Sequence, residues 1–224
     1  MTSADATAPR PSPPAYPARL VIAYPEQGLK RVTTAFRALL VIPIGILVAL
    51  LNGGAASWGV EDDSGASAWV SLLALAGGTY LPLVLMLLFR RKYPRWWFDW
   101  NVELTRLATR VGAYSLLLRD EYPSTDEAQA VQLDLDYPDA EHDLSRWLPL
   151  VKWLLALPHY IVLTVLALFA LVFVIIAWFA ILFTGRYPRG IFDFVVGVTR
   201  WGLRVQAYAF LLLTDRYPPF RLGS

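Results

Sequence analysis

The chain contains one segment twice. Residues 93–118 (YPRWWFDWNVELTRLATRVGAYSLLL) and 187–212 (YPRGIFDFVVGVTRWGLRVQAYAFLL), offset by 94, are identical at 14 of 26 positions. Such self-similarity reads as a tandem duplication, so whatever fold the chain adopts has to place the same element two times. The identities include Tyr93/Tyr187, Pro94/Pro188, Arg95/Arg189, Asp99/Asp193, Arg106/Arg200, Arg110/Arg204 and Tyr114/Tyr208, with apolar residues between them. Polar residues repeated in so apolar a setting require a physical role.

The setting is that of a membrane protein. Of the 224 residues 56% are hydrophobic, against about 45–50% for a soluble domain. Phe36–Leu51, Trp69–Phe89 and Leu148–Phe183 are nearly free of charge, and roughly 20 such residues cross a bilayer core. The first residues, rich in Pro and Ala, lack the apolar core of a cleavable signal and read as a disordered tail. A net charge of +2 offers no case for nucleic acid as partner, and the absence of cysteine excludes disulfides, thiolate metal sites and cysteine nucleophiles. Lys30, Arg31 and Arg37 precede the first apolar run and Arg90, Arg91, Lys92 and Arg95 follow the second, while the loop between them carries Glu61, Asp62 and Asp63. The positive-inside bias therefore puts both ends of this hairpin, and the N-terminus, in the cytoplasm.

The duplication reaches upstream, since LVIAYP at 20–25 resembles LDLDYP at 133–138, and FRALLVIP at 36–43 resembles VKWLLALP at 151–158. The predicted organisation is a tail over 1–18, a first unit over 19–123, an acidic linker over 124–132 and a second unit over 133–224. Unit one would hold membrane segments near 36–51 and 67–89 and an amphipathic helix near 96–118. Unit two would hold a membrane region near 148–183 and an amphipathic helix near 190–213. Pro43 to Tyr93 spans 50 positions and Pro158 to Tyr187 spans 29, so unit one carries 21 more, assigned to a polar loop around Asn52–Ala68. The 36 residues of Leu148–Phe183 contain no turn signal and would measure about 54 Å as helix. They read either as a tight hairpin, favoured by equivalence of the units, or as a juxtamembrane helix to Leu157 followed by one long span from Pro158. Leu133 and Leu135 alternate with acids as in an exposed strand, and Leu20 and Ile22 could pair beside them as short β segments in a soluble cap. Ala74, Gly77 and Gly78 offer a small-residue packing face.

At 100° per residue, Asp99, Glu103, Arg106 and Arg110 line one narrow stripe, and so do Asp193, Arg200 and Arg204. Three roles are open to the stripes: mutual salt bridges between the units, binding of phospholipid head groups, or a proton or ion path. The helices that carry them either lie in the interface or span with the stripe turned inward. Seven of the eleven tyrosines precede proline. Such pairs mark chain corners at a water–lipid boundary, so Tyr93, Arg95, Tyr187 and Arg189 are expected there, reinforced by Trp96, Trp97, Trp100, Trp147 and Trp153. His159, after Pro158, is a candidate for satisfying freed backbone carbonyls or for sensing pH. No metal site, cofactor site or catalytic constellation stands out, so neither a cofactor nor an enzyme is expected.

The string ILFTGRYPRGIFDFVVGVTRWGLRVQAYAFLLLTDRYPPF, with LPHYIVL before it, resembles a bacterial membrane family catalogued as domain of unknown function 4389. The resemblance covers unit two and, more loosely, unit one, and implies no activity, ligand or catalytic residue. Unit one departs from it at Ile44, Trp96, Trp97 and Glu103, where unit two has His159, Gly190, Ile191 and Gly197.

The expectation is an all-α integral membrane protein of the bacterial inner membrane, multi-pass, built as a tandem repeat of a membrane hairpin plus amphipathic helix. Its expected role is that of a non-catalytic scaffold or accessory subunit contacting lipid head groups or a larger membrane complex. A small transporter or channel is the alternative, and a lipid-modifying enzyme the third reading.

Overall fold

The computed structural model describes residues 16–51, 82–124, 127 and 129–223. The polar loop around 52–68, the small-residue face at 74–78 and most of the tail lie outside them. The described chain is mostly helical, with one two-stranded sheet. Strand β1 (Ala18–Ile22) is followed by α1 (Arg31–Ala35), α2 (Arg37–Leu51), a helical stretch over 82–90 (α3) and α4 (Arg95–Ser115). Then come β2 (Val131–Leu135), a 3-10 turn (Leu148–Leu150), α5 (Lys152–Leu155), α6 (Leu157–Thr184) and α7 (Arg189–Ala209).

The sequence explains where the long helices start and stop. Pro94 and Pro188 precede α4 and α7 with nearly the same extended backbone, φ −64°, ψ 127° and φ −62°, ψ 123°. Proline fixes φ and lacks an N–H, so it sets the chain direction just before a helix without leaving a donor unpaired. Gly185 ends α6 in the left-handed region at φ 74°, a conformation open to glycine at little cost. Gly28 crosses the same point, and a Cβ on it would come within 2.7 Å of the Gly185 carbonyl oxygen. Leu29 N–H donates to that carbonyl at 2.9 Å, tying the start of the first unit to the end of α6.

The hairpin expected within 148–183 is not formed. Apart from the short 3-10 turn and α5, the region is the single helix α6, 28 residues long, or about 42 Å. The physical reason is in the residues themselves: after Pro158, which sits in the first turn, nothing up to Phe183 interrupts a helix. Among the described residues, α6 is the one helix long and apolar enough to cross a membrane.

The strands pair antiparallel with Leu20 opposite Leu133. Ala18, Leu20, Ile22, Val131 and Leu133 point into the core, while Arg19, Val21, Gln132 and Asp134 face outward. The sheet rests on the amphipathic helices, β1 against α7 and β2 against α4; α6 packs on α7 and α2 on α4. Ala170, Ala177 and Ile181 face inward from α6, the small side chains letting α7 approach closely. The opposite side of α6 exposes Ile161, Leu168, Phe169, Val172, Phe179 and Phe183. The order is thus sheet, amphipathic pair, apolar helices.

Candidate functional site

The charged stripes lie under the sheet and the chain segments that follow each amphipathic helix. Arg106 Nη2 donates to the Leu133 carbonyl at 3.4 Å, and Arg200 Nε donates to the Leu20 carbonyl at 3.1 Å. These two carbonyls belong to the facing pair at the centre of the sheet. One turn further on, Arg110 donates to the Ser124 carbonyl, and Arg204 to the carbonyls of Arg221 and Gly223 at 2.5 and 3.1 Å. Arg110 and Arg204 are buried. Glu103 pairs with Arg106 at 2.5 Å on the same helix, whereas Asp99 and Asp193 are exposed and form no ion pair within the described residues. The four arginines therefore work as clamps on backbone carbonyls, a use suited to a guanidinium with five donors.

The Tyr-Pro-Arg corners interlock across the two units. Tyr93 donates to the Leu211 carbonyl at 2.8 Å and Tyr187 to the Leu116 carbonyl at 3.4 Å. In return Tyr137 donates to the Tyr93 carbonyl, and Tyr24 to the Tyr187 carbonyl at 2.5 Å. Burial pushes the phenols of Tyr93 and Tyr187 upward, so both remain donors. Arg95 lies over the Tyr137 ring and Arg189 over the Tyr24 ring, at 4.7 and 4.6 Å from the centroids. Arg189 also pairs with Glu26 at 3.0 Å.

A second set of charges, which the stripe reading passed over, is more deeply buried. Arg37 is 2% exposed and Lys152 0%. The Arg37 guanidinium pairs with Asp120, donates to the carbonyls of Tyr114 and Arg119 at 3.3 and 2.9 Å, and lies over the Tyr114 ring. Lys152 Nζ pairs with Asp215 at 2.7 Å, donates to the Thr214 carbonyl at 2.8 Å, and lies over the Tyr208 ring. The other carboxylate oxygens accept from Lys30 N–H at 2.6 Å and from Ser145 N–H at 2.5 Å. Burial pulls the Lys152 ammonium downward and Asp215 pushes it back up, with burial the larger effect. The signal was present in the sequence, where FRALLVIP over VKWLLALP sets Arg37 on Lys152, and the closing RDEYP and TDRYP set Asp120 on Asp215.

His159 is fully buried; its Nδ1 accepts from Trp201 Nε1 at 3.2 Å, so the ring proton sits on Nε2, which has no partner among the described residues. Phe220 stacks on the ring at 4.0 Å and Tyr217 lies at 4.7 Å. A cavity of about 290 Å³ lies beside Arg37, lined by Thr34, Val41, Ser115, Val174, Ile175 and Trp178 among others.

Residues 147–221 match the family model described as domain of unknown function (DUF4389). No curated protein and no solved structure matches the chain.

Proposed function

We propose that this protein is a non-catalytic scaffold or accessory component seated in the cytoplasmic face of a bacterial inner membrane. On this reading α2, α3 and α6 lie among the acyl chains, α4 and α7 lie at the interface, and the sheet faces the cytoplasm. One observation carries it: Arg106 and Arg200, midway along the amphipathic helices, hold the central residues of an open two-stranded sheet. A sheet whose outer face presents Arg19 and Asp134 has open edges and cannot sit in hydrocarbon. Because α6 packs along α7, and α7 carries β1, α6 cannot stand upright without drawing that sheet into the bilayer.

The basic residues point the same way. Arg90, Arg91, Lys92 and Arg95 cluster where α3 meets α4, near the end of α7; Arg186 and Arg189 cluster at its start. With α4 and α7 lying flat, both clusters reach anionic head groups on one face, as the positive-inside bias asks. The 28 residues of α6 would suffice to cross the ~30 Å of a bilayer core, but a spanning α6 is not part of this reading, because the helix lies flat with α7. A path lined by the stripes is less favoured, because their arginines already clamp backbone carbonyls. The recurrence of the corner tyrosine bonds, the arginine clamps and the buried Arg37/Lys152 pairs at matching positions supports a second inference, that residues 19–123 are a diverged copy of the unit that follows.

The cysteine-free chain allows a direct test. Arg95→Cys and Arg189→Cys should both react with an impermeant maleimide from the cytoplasmic side only. Reaction from opposite sides would establish a spanning α6–α7 pair and defeat the seated reading.

A further inference from the structure

The geometry points to the cavity beside Arg37 as a binding site for one acyl ester of a membrane lipid, its carbonyl oxygen accepting from Arg37 Nε and Thr34 Oγ1. This inference rests on the membrane seat proposed above. Thr34 is 0% exposed and Arg37 2%, yet Thr34 Oγ1 and Arg37 Nε have no hydrogen-bond partner among the described residues. Both residues line the same cavity. A buried donor left unmade costs the desolvation of the group, so two of them at one wall ask for an acceptor.

The class of acceptor follows from charge and lone pairs. The Arg37 guanidinium is already matched by Asp120, so a second anion would leave one negative charge unpaired in a buried place. A neutral carbonyl oxygen has two lone pairs and no proton, and takes both donors. Apart from Ser115, whose hydroxyl donates to the Val111 carbonyl at 2.7 Å, the remaining wall is apolar: Ala38, Val41, Leu117, Val174, Ile175 and Trp178. Trp178 is itself held, its Nε1 donating to the Thr34 carbonyl at 3.0 Å. Ala38 and Ile175 are exposed, on the α2 and α6 side that faces the acyl chains. The volume of about 290 Å³ is at the lower end for ligand sites, enough for the upper part of one chain. At the matching places of unit two stand Pro149, Lys152 and Ala209 for Thr34, Arg37 and Ser115. There Lys152 spends its donors on Asp215 and the Thr214 carbonyl, so the site belongs to unit one alone.

The test uses the full chain reconstituted in phosphatidylcholine vesicles, with a diazirine placed close to the linkage of one chain. The linkage is ester in one sample and ether in another, and a third sample carries the free diazirine fatty acid. Photolabelled residues are mapped by mass spectrometry. The ester lipid should label Val41, Val174 or Trp178, and the ether lipid should label them about 25-fold less, as expected for two net hydrogen bonds of about fivefold each. Thr34→Val, which keeps shape and leaves Arg37 in place, should lower the ester preference to about fivefold, one hydrogen bond remaining, while Phe169 and Phe179 on the outer face of α6 stay labelled. Equal cavity labelling by ester and ether, or stronger labelling by the free acid, overturns the ester assignment. Outer-face labelling with none in the cavity overturns the site while leaving the membrane seat standing. No labelling of Phe169 or Phe179 by any lipid overturns both.

Discussion

Arg37 and Lys152 hold the same position in the two units with different chemistry, and the difference decides what each can tolerate. Lys152 is 0% exposed, whereas the side chain of its partner Asp215 is 21% exposed. Asp215→Asn therefore strands an ammonium that water cannot reach, whereas Lys152→Met leaves a carboxylate with partial access to solvent. Removing one partner of a buried pair costs about 3–5 kcal/mol, and that range applies to Asp215→Asn. Lys152→Met should cost clearly less, because its residual charge is partly hydrated and a methionine fills the slot. Thermal unfolding in mild detergent, converted to free energy, checks the order, and equal losses would contradict the assigned asymmetry. These residues were visible in the sequence as a lone base in each of two aligned apolar runs. Periodicity favours the stripe over them because it registers repeated charges, and a single one leaves no period. The stripe was legible as a line of charge; its partners were not, since carbonyls of distant segments have no signature in residue type.

At the scale of elements, α7 is held from outside by residues 217–223, and the sequence shows why they approach it so closely. Gly197 takes the place of Glu103, and a Cβ there would stand 2.9 Å from Leu222 Cβ and 3.3 Å from its carbonyl oxygen. Those are atoms at and next to the backbone, so the segment itself would have to move. Gly202, on the same helix, would meet nothing within 4 Å. Both changes to alanine gain helix propensity of about 1 kcal/mol, but overpacking costs about 1–3 kcal/mol. Gly202→Ala should therefore raise the unfolding temperature. Gly197→Ala should not, and it should loosen the strap by costing Arg204 its carbonyls at Arg221 and Gly223 and His159 its stacking on Phe220. Limited proteolysis within 217–223 reads this out, and unchanged resistance in Gly197→Ala would show that the strap does not depend on close approach to α7. The same scale shows why the hairpin within 148–183 was expected and is absent. Symmetry with unit one argued for it, but the stretch rich in Gly, Ser and acids that reads as a turn in the sequence of unit one has no counterpart in unit two. The two strands, by contrast, were legible, because alternation of Leu with acid is a local pattern that neither helix nor distance disturbs.

For the whole molecule, the sheet and the corner contacts run between the halves, while the buried charges Arg37 and Lys152 are paired within their own half. The five facing residue pairs of the sheet join β1 to β2. Leu29 N–H reaches the Gly185 carbonyl, Trp178 reaches Thr34, and the four tyrosines at the corners all bond to the opposite unit. Two units related in this way are exchanged partners, each completing the corner of the other. A chain opened by a protease site inserted between residues 124 and 129 should consequently stay together, the fragments eluting as one species in mild detergent. Residues 129–224 produced without the first unit lack β1, so Arg200 has no carbonyl at Leu20 and Tyr187 none at Leu116. That fragment should be degraded or aggregated, and co-production with residues 1–128 should rescue it. An isolated second unit that elutes as a folded monomer would mean that the interlock contributes little. It would also remove the reason for the two halves to share one chain, since an independent unit needs no covalent partner.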